Sequence, residues 1–264
     1  MATTAFRILV AAATAYLVVF AVLFVFQDRF LFPAPQERIE PGAGLQAVTV
    51  QTSDNLALTA HWRPADAGKP TVIWFHGNGS SLAGSAYETR ILAAQGYGLL
   101  LASYRGYGGN AGNPSEDGFY RDGRAAMEFL AARGVTAGQT IVAGNSIGTG
   151  TAVQMAREFE PSALILVAPF TSLPGAASEA LPIFPAQLVI RHRFDNAAKL
   201  PSLGLPILIL HGTADNVVPF ELGQSLATRN SRVRFVTFDG ANHDLSFGEE
   251  AQQVQANWLS ELGF

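Results

Sequence analysis

Six short apolar runs limit this chain more than anything else in it: Thr71–Phe75, Gly98–Ala102, Thr140–Ala143, Ala163–Val167, Pro206–Leu210 and Val233–Phe238. Within all but the last, which carries Arg234 and Thr237, the positions are apolar nearly throughout, so neither side of those segments can face water. Helix-like stretches fall between most of them, which points to a mostly parallel sheet covered by helices on both faces. Two earlier runs, Ala47–Gln51 and Leu56–Ala60, alternate in polarity, and Ser53-Asp54-Asn55 between them can turn. They read as an antiparallel hairpin joined to the sheet. The expected fold is α/β, with eight strands, mostly parallel, and one antiparallel strand from that hairpin. One connecting helix is expected over Pro114–Arg133, with Asn113 as its cap, Pro114 in the first turn and Glu116 reaching back.

The run from Ile8 to Phe26 is broken only by Thr14. At about 1.5 Å per residue, its roughly 19 residues just cross a hydrocarbon core of about 30 Å. A cleaved signal peptide is disfavoured, because the stretch is long and bulky Phe24, Val25 and Phe26 stand where small residues precede a cleavage site. The expectation is an uncleaved single-pass anchor over residues 1–32 and a folded domain over 33–264. Arg7 on one flank and Arg29 and Arg38 on the other leave orientation nearly balanced. The short, weakly charged tail resembles a signal anchor, which would place the domain on the non-cytoplasmic side. Residues 169–205 carry five prolines among apolar residues, too long for a simple connection and too interrupted for one helix. This region reads either as a small cap over the site or as an excursion packed on the core.

The net charge of −4 and the absence of any basic cluster argue against nucleic acid, and the lack of cysteine removes thiolate chemistry and disulfides. No metal-ligand cluster appears and no dinucleotide fingerprint follows the first strand, so neither a metal nor another cofactor is expected. Oligomeric state is not legible.

Gly144-Asn145-Ser146-Ile147-Gly148 lies between a strand-like and a helix-like run. A G-x-S-x-G pattern in that setting is a turn too sharp for side chains two residues either side of the serine, and it lifts the hydroxyl above the sheet edge. In a chain with 26 glycines the pentapeptide alone could be an ordinary strand-to-helix turn. An acyl-transferring serine also needs a base and a carboxylate that orients it. In the chain order Ser…Asp…His, three histidines follow Ser146: His192 among arginines, His211 at a strand end, and His243 in a polar loop after the last strand. His243 is the candidate base, and His211 is expected to pack at its strand end. Asp215, after the penultimate strand, is the candidate acid, with Asp239, Asp244 and Asp195 as rivals. The oxyanion donors should be the N–H groups of Ile147 and of Asn78, with Gly79 possible in place of Asn78.

These segments, with Phe75-His76-Gly77-Asn78, Tyr104-Arg105-Gly106-Tyr107-Gly108, Ala168-Pro169-Phe170-Thr171-Ser172, His211-Gly212-Thr213-Ala214-Asp215 and Asn242-His243-Asp244, resemble the α/β-hydrolases from about Val48 to Phe264. More narrowly, the chain is similar to the single-pass, membrane-anchored abhydrolase-domain serine hydrolases and their bacterial relatives. The resemblance implies Ser146 as nucleophile, Asp215 as acid, His243 as base and Tyr104–Gly108 as a structural loop beside the site. It departs at Asn145, where relatives often carry a basic or aromatic residue, and at Thr149, where a second glycine is usual. The expected activity is cleavage of a carboxylic ester or thioester, with a small or lipid-like acyl substrate and the membrane as partners. A serine peptidase on the same fold and a catalytically idle membrane-bound interaction module are the alternatives.

Overall fold

The computed structural model describes residues 2–264. The apolar N-terminal stretch is one helix, α1 (Ala2–Val25), followed by the short α2 (Gln27–Leu31). Its span Thr3–Val25 is long and apolar enough to cross a membrane, and none of its most apolar stretch is buried.

The rest is built on one eight-stranded sheet: β1 (Gln46–Gln51), β2 (Ala57–Arg63), β3 (Thr71–Phe75), β4 (Gly98–Ala102), β5 (Thr140–Asn145), β6 (Ala163–Val167), β7 (Ile207–Gly212) and β8 (Val233–Phe238). The spatial order is β1-β2-β4-β3-β5-β6-β7-β8. β2 runs antiparallel to both of its neighbours, and every other pairing is parallel. All eight strands fall where the hydrophobic pattern places them, with ends shifted by three residues at most.

Side chains on a strand alternate between faces, and the sheet accordingly has two cores. Ile73, Phe75 and Val142 pack with Phe119, Leu130 and Val153 from helices α5 (Glu116–Ala131) and α6 (Gly148–Phe159). Val72, Trp74 and Ile141 pack on the opposite side with Leu82 of α3 (Leu82–Glu88), Leu92 of α4 (Arg90–Ala94), and Trp258 and Leu259. β3 and β4, and β5 to β8, are fully buried or nearly so until β8, whose edge position leaves Arg234 and Thr237 in solvent.

α5 starts later than expected. Ser115, in extended conformation, is the cap and its hydroxyl accepts from the Gly118 N–H, whereas Asn113 lies outside the helix. Glu116 does not reach back: its carboxylate accepts from the N–H groups of Arg193 and Phe194 and from the Tyr120 hydroxyl. The residue before a proline is biased away from helical backbone, so Asn113 cannot lead into the helix directly.

Residues 169–205 fold into three short helices, α7 (Leu173–Ala180), α8 (Ala186–Val189) and α9 (Asn196–Lys199). Phe170, Phe194 and Leu200 at the two ends of the segment belong to the core. Its middle packs on α1, where the Tyr16 hydroxyl donates to the Ile183 carbonyl at 3.0 Å.

Candidate active site

The strand order places the site. The chain passes outward from β3 to β4 and then returns past β3 to β5, so β3 and β5 are neighbours whose connections lead in opposite directions. Beyond the carboxyl ends of such a pair a crevice opens, the usual ligand position in open α/β sheets. A cleft of about 340 Å³ lies there, bounded by Gly77–Ser80 after β3, Asn145 and Ser146 after β5, and Asn242–Asp244 after β8.

Ser146 sits at φ +52°, in the left-handed region. A non-glycine residue held there costs on the order of 1–3 kcal/mol, which the surroundings must supply. They do so through the Ser146 N–H, which donates to the Val167 carbonyl at 2.9 Å, and the Thr149 hydroxyl, which donates to the Ser146 carbonyl at 2.6 Å. Thr149, a departure from the usual second glycine, therefore braces the turn. Gly148 is required for contact: a Cβ there would run into the Phe75 carbonyl.

Ser146 Oγ is 3.0 Å from His243 Nε2, and His243 Nδ1 is 2.8 Å from Asp215 Oδ2. Asp215 comes from the loop after β7 and has no exposed side-chain surface. Burial pushes its carboxyl up, but hydrogen bonds from His211 and His243, and from the N–H groups of Val218 and Val217, outweigh it and hold the group well below the ordinary carboxylate range. The carboxylate thus stays charged and can fix the His243 ring with Nδ1 protonated and Nε2 free to accept from the serine.

Of the rivals, Asp244 lines the cleft but makes no hydrogen bond to the His243 ring, and the others lie elsewhere. Asp239 accepts from the Thr213 hydroxyl, Asp195 caps α9, and His192 meets Asp28. His211 does more than pack: its Nε2 lies 3.0 Å from the Val218 carbonyl and 3.4 Å from Asp215 Oδ2, so it backs the acid from inside.

The backbone N–H groups of Asn78 and Ile147 take no acceptor among the described residues. Gly77, next to Asn78, approaches the serine so closely that a Cβ there would touch Ser146 Cβ at 3.4 Å. The Asn78 side chain is occupied in holding its own loop: Nδ2 donates to the Leu31 carbonyl at 2.6 Å, and Oδ1 accepts from the Tyr107 hydroxyl at 2.6 Å. Tyr104 donates to the His76 carbonyl in the same loop. Arg105 anchors the Tyr104–Gly108 segment by gripping Asp122 and Asp54. His76 itself is fully buried, which pushes it down to about 4 and leaves it neutral.

A second set of polar groups lies directly behind the serine. The buried Glu88 carboxylate accepts from Trp74 Nε1 at 2.9 Å, Asn145 Nδ2 at 2.9 Å and Ser246 Oγ at 2.6 Å. Asn145 precedes Ser146 and Ser246 follows His243 by three residues, so this one carboxylate ties the serine turn to the histidine loop. Burial pushes Glu88 up, against the lowering effect of its three donors. Nothing local in the sequence signals it. Only Asn145, noted as a departure from related chains, marks the place.

The model of the S33 serine aminopeptidases (Hydrolase_4) matches residues 66–198. The chain is a member of this family of α/β-hydrolases. The hydrolase is 33% identical to an uncharacterized protein of Mycobacterium tuberculosis over 75% of its own length and 72% of that protein. It is 26% identical to the lysophosphatidylserine lipase ABHD12 of Xenopus tropicalis, over 85% of its own length and 67% of the lipase. In fold it is similar to an esterase of Pyrococcus furiosus, with a TM-score of 0.70 at 20% identity, covering 86% of this chain and 96% of that one.

Proposed function

We propose that this hydrolase cleaves carboxylic esters or thioesters through an acyl-enzyme on Ser146. The observation that carries the reading is the relay from Ser146 Oγ through the His243 ring to Asp215, with links of 3.0 and 2.8 Å. His243 Nε2 takes the hydroxyl proton as Oγ attacks the carbonyl, and Asp215 stabilises the imidazolium that forms. The Asn78 and Ile147 N–H groups receive the developing oxyanion, each such donor being worth about 3–4 kcal/mol in the transition state. The imidazolium then gives its proton to the leaving oxygen or sulfur. Water, deprotonated by the same ring, releases the acid from the serine.

The acyl group we assign is lipid-like. The apolar α1 as a single-pass anchor over residues 1–32 and the lipase among the similar proteins support this. The remainder, 33–264, is the catalytic domain, on the non-cytoplasmic side of the membrane. No metal or cofactor enters the scheme. A serine peptidase is the second reading, because the matching family model is that of serine aminopeptidases. An idle interaction module does not account for a left-handed serine held within hydrogen-bonding distance of a histidine whose other nitrogen meets a buried carboxylate.

The test is labelling by a fluorophosphonate probe, followed by turnover on matched ester, thioester and aminoacyl-amide panels. Labelling that disappears in Ser146→Ala, with ester or thioester turnover above amide turnover, is expected. Absence of labelling in the folded wild-type chain would refute the reading, and amide turnover above ester turnover would favour the peptidase.

A further inference from the structure

The middle of the 169–205 segment exposes large apolar side chains: Leu181 is 51% exposed, Ile183 82% and Leu188 86%. From Leu181 to Ile190 there is no charged residue. In water such a surface carries a cost, since apolar area buried elsewhere gains about 25 cal/mol per Å². The position of the segment shows what covers it.

The segment packs on the flank of α1, well away from the end that joins the domain. Tyr16 donates to the Ile183 carbonyl, and the Phe20 and Phe184 rings stand 5.6 Å apart, centre to centre. An apolar groove of about 290 Å³ runs between the two elements. Tyr16 precedes Val25, the last residue of the helix, by nine positions, or about 13 Å at about 1.5 Å per residue. Half of a hydrocarbon core is about 15 Å. A helix that crosses a bilayer thus carries Ile183 deep into one leaflet.

Backbone hydrogen bonding mostly suits that place, where polar groups must be satisfied internally. The N–H groups of Leu181, Phe184, Ala186, Leu188 and Ile190 donate to carbonyls within 177–186, and Pro182 and Pro185 have no N–H to satisfy, which leaves only those of Ile183, Gln187 and Val189 without an acceptor outside α8 among the described residues. Polar groups resume at the joined end of the helix. Asp28 meets both Arg191 at 3.2 Å and His192 at 3.0 Å, and the half-exposed Arg191 guanidinium lies over the Phe24 ring. A half-exposed basic residue at that level, paired with Asp28 at the end of the apolar helix, matches the phosphate layer of a leaflet.

We propose that residues 181–190 are a second membrane-inserted element, with the acyl chains of the leaflet nearer Val25 covering Leu181, Ile183 and Leu188 and filling the groove beside α1. This rests on the reading that α1 spans a membrane. The hydrolase would then be seated in the bilayer at two points, which fixes its tilt as well as its distance from the surface.

The chain has no cysteine, so single cysteines can carry a nitrobenzoxadiazole label in the full-length protein, reconstituted in vesicles of phosphatidylcholine and phosphatidylglycerol. Ile183→Cys and Leu188→Cys report on the segment, Val10→Cys on the helix and Val217→Cys on the surface of the folded part. All four side chains are exposed, so labelling does not disturb the core. We expect labels at 183, 188 and 10 to be quenched several-fold by doxyl-chain lipids and protected from dithionite, and the label at 217 to be neither. Labels at 183 and 188 that dithionite bleaches while the label at 10 stays protected overturn the proposal and leave the anchor standing. Loss of protection at 10 as well overturns both. Protection at 183 without lipid quenching, together with self-quenching between labelled chains, would identify a second copy of the chain as the cover and would also overturn the proposal.

Discussion

Replacing Glu88 tests whether the serine turn and the histidine loop are held from behind by one carboxylate. In Glu88→Ala, Trp74 Nε1 loses its acceptor in a closed environment, Asn145 Nδ2 keeps only Ser246 Oγ, and the Ser246 hydroxyl must turn elsewhere. A buried donor left unpaired costs about 1–3 kcal/mol. The Trp74 donor and the disturbed Asn145–Ser246 pair together, offset by relief of the carboxylate's own burial, should give a net loss of roughly 2–4 kcal/mol. For a domain of this size a loss of about 1 kcal/mol lowers Tm by about 2–4 °C, giving a fall of roughly 5–15 °C.

Glu88→Gln should behave differently. Its oxygen can still serve Trp74, and its new amide can face Asn145 Oδ1, which has no hydrogen-bond partner and is presented once that amide turns over. We expect a cost of about 1 kcal/mol. The sign of the pH dependence gives a second check. Because burial raises the folded pKa of Glu88, the folded chain keeps a proton that the unfolded chain releases. The contribution of Glu88 to stability therefore falls as pH rises from the ordinary carboxyl pKa through the raised one, and Glu88→Gln should remove that slope. The assay is thermal unfolding of the detergent-solubilised full chain by circular dichroism across pH, with ester turnover measured in parallel. Glu88→Ala melting within 2 °C of the parent (about 1 kcal/mol or less), or Glu88→Gln no better than Glu88→Ala, would refute the reasoning.

Other expectations are more direct. Ser146→Ala should lower turnover on the order of 10⁶-fold and Asp215→Asn by roughly 10⁴-fold, while Asp239→Asn and Asp244→Asn cost far less; a dead Asp239 or Asp244 variant beside an active Asp215→Asn would move the acid. A methyl at Gly223 would collide with the His211 ring, so Gly223→Ala should cost about 1–3 kcal/mol and slow turnover by displacing the group behind Asp215; unchanged melting and rate would remove that role. His76, pushed down to about 4 by burial, is neutral when folded and protonates more readily unfolded. Its contribution is complete above pH 6.5 and declines by on the order of 3 kcal/mol as pH falls to 4, a slope His76→Phe should flatten in chemical-denaturation curves. A carboxyl-terminal alkaline phosphatase fusion should be active, and an inactive one beside an active cytoplasmic reporter would reverse the orientation.

What could be read from the sequence divides by the range of the interactions involved. Val72-Ile73-Trp74 and Leu164-Ile165-Leu166 must be buried on both faces whatever surrounds them, so their strands were recoverable. Ser146, Asp215 and His243 could be picked out because each sits in a loop directly after a strand, and parallel strands bring all such loops to one edge. The start of α5 was missed because Asn113 and Ser115 are both good caps, and only the backbone at Pro114 decides between them. Glu88 was invisible because its partners lie 14, 57 and 158 positions away along the chain. His211 looked like strand-end packing because its approach to Asp215 depends on how the intervening turn folds back.

The bond from Asn78 Nδ2 to the Leu31 carbonyl bears on how this enzyme should be produced. Cutting the chain at residue 33 to obtain a soluble form is the obvious convenience, yet it deletes the carbonyl that restrains the loop carrying the Asn78 N–H. It also deletes Phe32, buried against Phe119 and Phe194. Rates measured on such a truncation would describe an enzyme with a slackened loop, and any shortfall against the full-length protein would be mistaken for a need for lipid.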